Sequence, residues 1–138
     1  MGEMTRDEVN EWLDHGPAWI RMATIGSDGY PHVVPIGYFR IGDEIIVPVR
    51  GQRETNIRRN PKVSLVLDDG IARPELKGVV IRGDAVIVDD DAERLELTRE
   101  GARQRGVPES ELPTESRRGR TFARVRMSKI ATWDNSPP

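Results

Sequence analysis

The residues best suited to chemistry lie together in Arg50-Gly51-Gln52-Arg53-Glu54-Thr55-Asn56-Ile57-Arg58-Arg59-Asn60-Pro61. The stretch follows one apolar run, Glu44 to Val49, and precedes another, Lys62 to Leu67. Pro61 has no N–H and pushes Asn60 away from helical backbone, so the spacing predicts at most two helical turns from about Arg53. A helix start offers free N–H groups and the positive end of a dipole, and both favour an anion. Arg50, Gln52, Arg53, Thr55 and Asn56 all carry groups that donate to phosphate oxygens. Gly51 lets main chain approach a ligand closely. The pattern fits a phosphate cradle at a strand-to-helix corner. It also fits a solvated basic helix that only joins two strands.

Composition narrows the chemistry. The net charge is −2, so no overall basic character points to nucleic acid. Five of the 21 Lys and Arg nevertheless fall between Arg50 and Lys62, where Glu54 is the single acid. That local surplus favours a small anionic ligand. Without cysteine there is no disulfide, thiol nucleophile or Cys-based metal site. His15 and His32 are the two histidines, too few for a multi-histidine metal site. Ser27 lacks the setting of a nucleophile elbow. No apolar run reaches the length of a membrane span and no signal-peptide core opens the chain, so the expectation is a cytoplasmic protein that does not bind membranes.

The positioning elements follow in order. Thr5 with Glu8 reads as a capping box, and Val9, Trp12 and Leu13 give the helix one apolar stripe. Gly16 and Pro17 end it. His15 lies in its last turn, where a cation suits the dipole. Ala18 to Ile25 and His32 to Phe39 read as a hairpin around Gly26-Ser27-Asp28-Gly29. Glu44 to Val49 and Lys62 to Leu67 are the third and fourth strands. Pro35 and Pro48 inside strand patterns imply edges, bulges or an opened ladder. A polar loop runs from Asp68 to about Glu75. Gly78 to Asp89 is a long fifth strand, in which Gly83 marks a bulge or tight bend.

Asp90 and Glu93 start a helix that runs to about Arg105, with Leu95 and Ala102 inward, Leu97 less defined, and Gly106 and Pro108 closing it. An exposed loop over 107–119 follows. The sixth strand, Arg120 to Trp133, alternates, with Ala123, Val125, Met127, Ala131 and Trp133 on one face. Lys129 breaks that face and belongs near a rim. Residues 134–138 read as a tail. The whole is one mainly β domain over residues 1–138 with flanking helices, a six-stranded antiparallel barrel, closed or partly open.

Three segments in this order resemble the pyridoxamine 5′-phosphate oxidase-like, FMN-binding split-barrel superfamily: Trp19 to Ile36, Arg53 to Leu65, and Val79 to Ala85, within a likeness over about residues 5–134. The resemblance implies a split β-barrel and a homodimer with two cofactors in clefts between subunits. It places Val34, Pro35 and Ile36 against the flavin ring. Arg50, Arg53, Thr55 and Asn56 are placed at the phosphate, and Lys77, Gly78 and Val79 on a strand reaching the cofactor from the partner. Trp133 matches a C-terminal region that packs near the cleft, or serves as a core or interface aromatic. Family members often carry Lys at Arg53, which keeps the charge, and a basic residue at Thr55, which is lost here.

The chain is similar to small deazaflavin (F420)-dependent reductases in size and in Arg124 to Asp134, and it lacks the extended C-terminus of true pyridoxamine-phosphate oxidases. The implied cofactor is FMN, with F420 as the alternative; Arg58, Arg59 and Lys62 are candidates to meet an F420 acidic tail or are plain surface. The implied function is a flavin- or deazaflavin-dependent oxidoreductase passing hydride between cofactor and a small organic substrate. Such chemistry needs no side-chain acid or base. The alternative is a split barrel that binds flavin or haem without turnover. His32 is expected to face solvent or to be satisfied locally.

Overall fold

A computed structural model describes residues 3–69, 76–116 and 121–134 of the chain. The loop over 70–75, residues 117–120 with the expected strand start at Arg120, and the tail over 135–138 lie outside the described residues. Helix α1 (Arg6–His15) opens on the expected capping box, with Thr5 and Glu8 exchanging side-chain and backbone hydrogen bonds. Its stripe of Val9, Trp12 and Leu13 is buried.

Strands β1 (Trp19–Ile25) and β2 (Pro31–Gly37) form the first hairpin, followed by β3 (Phe39–Ile41) and β4 (Glu44–Val49). Helix α2 (Gln52–Arg59) leads into β5 (Lys62–Asp69) and β6 (Lys77–Val88). Helix α3 (Asp91–Gln104) and a 3-10 turn (Glu109–Glu111) precede β7 (Thr121–Arg126) and β8 (Lys129–Asp134).

All strand pairs are antiparallel, in the order β2-β1-β5-β6-β7-β4-β3, with β8 also on β6. β2 and β3 are separated by Tyr38 alone, so the path ends on the stretch where it began. This closure makes the sheet a split barrel, as expected, although with eight strands rather than six. Two expected strands are each divided. His32 to Phe39 breaks at Tyr38 as the chain passes from one side of the barrel to the other.

The last expected strand breaks at Met127-Ser128, for a different reason. β7 pairs Val125 with Ala85, while β8 pairs Lys129 with Arg82. The C-terminal strand therefore spends one residue more than β6 across the junction, which is a bulge. The extra residue reverses which side chains face inward. Ala123, Val125 and Met127 are core, whereas beyond the bulge Ile130 packs inward and Ala131 and Lys129 are exposed. The single face expected for Ala123 through Trp133 is thus two faces. Opposite the bulge, a Cβ at Gly83 would overlap the Arg126 carbonyl oxygen, so only glycine permits the approach.

The prolines sit where the ladder has room. β2 pairs with β1 alone, so Pro35 is on an edge strand. β3 reaches only as far as Ile46 along β4, leaving Pro48 beyond it. The barrel core gathers Ile20, Met22, Ile45, Val47, Leu65, Val79, Ile81 and Val125, with Ile57 of α2 closing over it. A second cluster, Ile46, Val88, Leu97 and Phe122, lies beneath α3. Leu97 is therefore the inward leucine of α3, and Leu95 is only half-buried.

Candidate functional site

Helix α2 begins on Gly51, whose φ of +64° favours glycine and whose side chain supplies no cap. The first N–H groups of the helix are therefore left open toward solvent or ligand. Thr55 closes the first turn, its N–H and its hydroxyl both donating to the Gly51 carbonyl at 3.1 and 3.2 Å. Its side chain is exposed at this corner.

Arg53 is the distinctive group. Its Nε is buried and has no hydrogen-bond partner. Burial first, and the neighbouring Arg50 charge second, push its guanidinium below the usual arginine pKa. A buried polar atom without a partner is uncommon and costly. Neither Arg50 nor Arg53 makes a salt bridge or side-chain hydrogen bond with another described residue. The donor set at this corner fits an oxyanion.

Four neighbours are committed elsewhere. Asn56 is fully buried: its Nδ2 donates to Thr24 Oγ1 at 3.0 Å, and its Oδ1 accepts from Gln52 Nε2 at 2.7 Å and from Arg59 Nη2 at 3.1 Å. It fastens α2 to β1 rather than facing the open helix end. Gln52 shares that network. Arg58 pairs with Glu54 and Asp89, and Arg59 donates to the Ile25 carbonyl. Of the three cations named for an acidic tail, only Lys62 is unpaired among the described residues.

The remaining expected residues form two further groups. Val34, Pro35 and Ile36 lie on β2, opposite Met22, Arg21 and Ile20. Ile36 is in the core, Val34 packs against it, and Pro35 is exposed on the other face. Only main chain and the Pro35 and Val34 side chains of this group are within a ligand's reach. Lys77, Gly78 and Val79 start β6. Val79 is in the core, Gly78 lies under the Trp133 ring, and the Lys77 ammonium sits 4.7 Å from the Trp12 ring centroid.

The end of α2 and the Lys77 group are spaced along β5. Residues after α2 enter β5 at Lys62, and Lys77 pairs with Asp69 at the other end of that strand. At about 3.3 Å per residue the two ends of β5 are about 23 Å apart.

His32 departs from expectation. It shares the inner face of β2 with Val34 and Ile36 and lies directly opposite Thr24, the residue that anchors Asn56. Its Nδ1 is buried without a partner, so it is neither solvated nor satisfied locally. Neighbouring Pro31 and the β-turn concealed this in the sequence, because strand alternation does not reveal which partners a face supplies.

A separate cleft of about 450 Å³ lies between the end of α1, β3 and α3. Several of its polar groups are engaged: Tyr38 donates to the Pro17 carbonyl at 2.9 Å, Asp14 pairs with Arg40, and Gln104 donates to the Arg40 carbonyl. Among the described residues there is no group of acidic or histidine side chains able to hold a metal, and no helix long and apolar enough to cross a membrane.

Comparison with solved structures returns the same fold. Conserved hypothetical protein Rv2991 from Mycobacterium tuberculosis is 25% identical over 96% of this chain and 86% of that one, with a TM-score of 0.81. An F420 reductase is 24% identical over 88% of this chain and 94% of that one, at 0.64. HutZ, the haem storage protein from Vibrio cholerae, is 17% identical over 91% and 92%, at 0.65. The comparison with curated proteins finds no match. The sequence pattern of the family described as pyridoxamine 5′-phosphate oxidase matches residues 5–134, nearly the whole split barrel just described. The chain belongs to the pyridoxamine 5′-phosphate oxidase family.

Proposed function

We propose that the chain is an oxidoreductase that holds a phosphorylated flavin or deazaflavin, FMN or F420, between two copies of itself and passes hydride to or from a small organic substrate. The observation that carries this reading is the Arg53 guanidinium, with a buried Nε lacking a partner beside the uncapped start of α2. Arg50 and Arg53 would take the phosphate with the open N–H groups of the first turn, and the exposed Thr55 hydroxyl sits alongside. Asn56 holds that turn against β1. The ring would lie along β2 at Val34 and Pro35, with main chain of Ile36.

Lys77, Gly78 and Val79 would come from the second copy, since in one chain they lie at the far end of β5. A bound flavin or deazaflavin supplies the two-electron chemistry; the chain supplies position, charge and exclusion of water. The similarity to an F420 reductase supports the deazaflavin as the alternative to FMN.

The test compares FMN with riboflavin on the wild type and Arg53→Ala. The substitution is expected to weaken FMN by about 1.5–3 kcal/mol, as for a lost charged hydrogen bond, and to leave riboflavin nearly unchanged. Equal losses for both ligands would remove the cradle. A second reading, a haem- or flavin-holding protein without turnover, draws on His32, whose buried Nδ1 has no partner, and on the likeness to HutZ. It predicts a Soret band on haem titration that His32→Ala abolishes.

A further inference from the structure

The outward face of β5, β6, β7 and β8 carries four cations, Lys62, Arg82, Arg126 and Lys129, against one acid, Asp84. Arg82 on β6 is directly opposite Ser64 on β5 and Lys129 on β8. One step along, Lys62 is opposite Asp84. Arg126 borders the same place, at the bulge where β7 gives way to β8. Together they line an open groove of about 770 Å³ beside the exposed Val86. Like charges directly opposite one another destabilise a strand pair, and Arg82 and Lys129 are such a pair. Elsewhere the fold answers its arginines: Arg40 with Asp14, Arg58 with Glu54 and Asp89, Arg124 with Glu44 and Glu93. Lys62, Arg82, Arg126 and Lys129 make no ion pair or side-chain hydrogen bond with another described residue. Asp84 is the acid among the groove's lining residues.

We propose that this groove binds a small ligand bearing two adjacent anionic groups, of which a diphosphate is the simplest. Neighbouring strands are about 4.8 Å apart, so Arg82 and Lys129 present two cationic centres side by side. Lys62 and Arg126 flank them in the next row. A single anion would leave half of these charges unanswered. A nucleic acid would want a longer basic track on a chain whose net charge is −2. The site is distinct from the cradle, which uses Arg50 and Arg53 at the start of α2.

Calorimetric titration of the intact chain with pyrophosphate, orthophosphate and a short single-stranded oligonucleotide tests the proposal. Pyrophosphate is expected to bind at least tenfold more tightly than orthophosphate. The double substitution R82A with K129A, both exposed side chains, should weaken pyrophosphate at least tenfold. R82K with K129R should restore it. Thermal unfolding of each variant establishes that it is folded. Absence of pyrophosphate binding, its loss in R53A but not in R82A with K129A, or tight binding of the oligonucleotide alone would each overturn the proposal. So would a shift of the double variant from a two-chain to a one-chain species with no effect of pyrophosphate, since the groove would then be an interface between copies. The FMN comparison is read on Arg53→Ala and this proposal on R82A with K129A, so the failure of one is distinguishable from the failure of the other.

Discussion

Arg53 and Arg58 stand five positions apart on one helix, and the fold treats them oppositely. Arg58 reaches Glu54 one turn back and Asp89 after β6. Arg53 turns toward the barrel and finds no acid. The sequence shows both as basic residues in a basic stretch, because a carboxylate 31 positions away in the chain, as Asp89 is from Arg58, cannot be paired by inspection. Arg50, Arg53 and Thr55 were legible as a group through the Gly51 turn and Pro61. The inward turn of Asn56 was not, since it depends on Thr24 lying below it.

Tyr38 offers a test at this scale. Burial first, and then the Asp14 charge, push its phenol up to about 12 from the ordinary 10.0. The folded chain holds this proton more tightly than the unfolded one. The stability that follows is complete below pH 10 and is lost as pH rises from 10 toward 12. Tyr38→Phe removes the bond to the Pro17 carbonyl and should cost about 1 kcal/mol at neutral pH. The gap between variant and wild type should narrow above pH 10 in urea unfolding, and a constant gap would count against it.

Among the elements, β6 does the most to shape the molecule. Its first half is flanked by β5 and β8 and its second half pairs with β7. The exchange happens at Gly83, a position the sequence marked as a bend because glycine interrupts an otherwise apolar strand. What the sequence did not show is that the extra residue belongs to the opposing strand, at Met127-Ser128. The alternation of Ala123, Val125 and Met127 is regular enough to project onward to Ala131 and Trp133. A bulge inverts such a projection without leaving a glycine or proline as a mark. Gly83→Ala places a methyl against the Arg126 carbonyl oxygen, which is backbone and cannot swing aside. We expect a loss of about 1–3 kcal/mol, the usual cost of overpacking, read from the denaturant midpoint. A variant as stable as wild type would show that β6 and β7 need not approach so closely there.

At the scale of the whole molecule, the barrel separates residues that one cofactor would have to touch. Helix α2 ends where β5 begins, and Lys77 lies where β5 ends. The proposed shared site needs the start of one chain's α2 beside the start of another's β6. Sedimentation should therefore give a two-chain species. FMN affinity should fall once the protein is diluted to single chains, and undiminished affinity in a one-chain species would refute the shared site. The architecture itself was readable in advance, because hairpin turns, strand lengths and glycines are local. That Lys77, Gly78 and Val79 would reach a cofactor from a second copy came from the family resemblance alone, because distances between strand ends are not local.

The pairing order carries a consequence for the chain's synthesis. β4 joins the barrel through β7, and the second edge of β6 is covered by β7 and β8, all from residues 121–134. A ribosome emits these after the six other strands. Until then the emerging polypeptide holds one edge of β4 and one of β6 unzipped, with bare amide and carbonyl rows, the kind of surface that invites neighbouring nascent chains. Residues 121–134 act as the zipper's slider: until they dock, two edges of the barrel stay open.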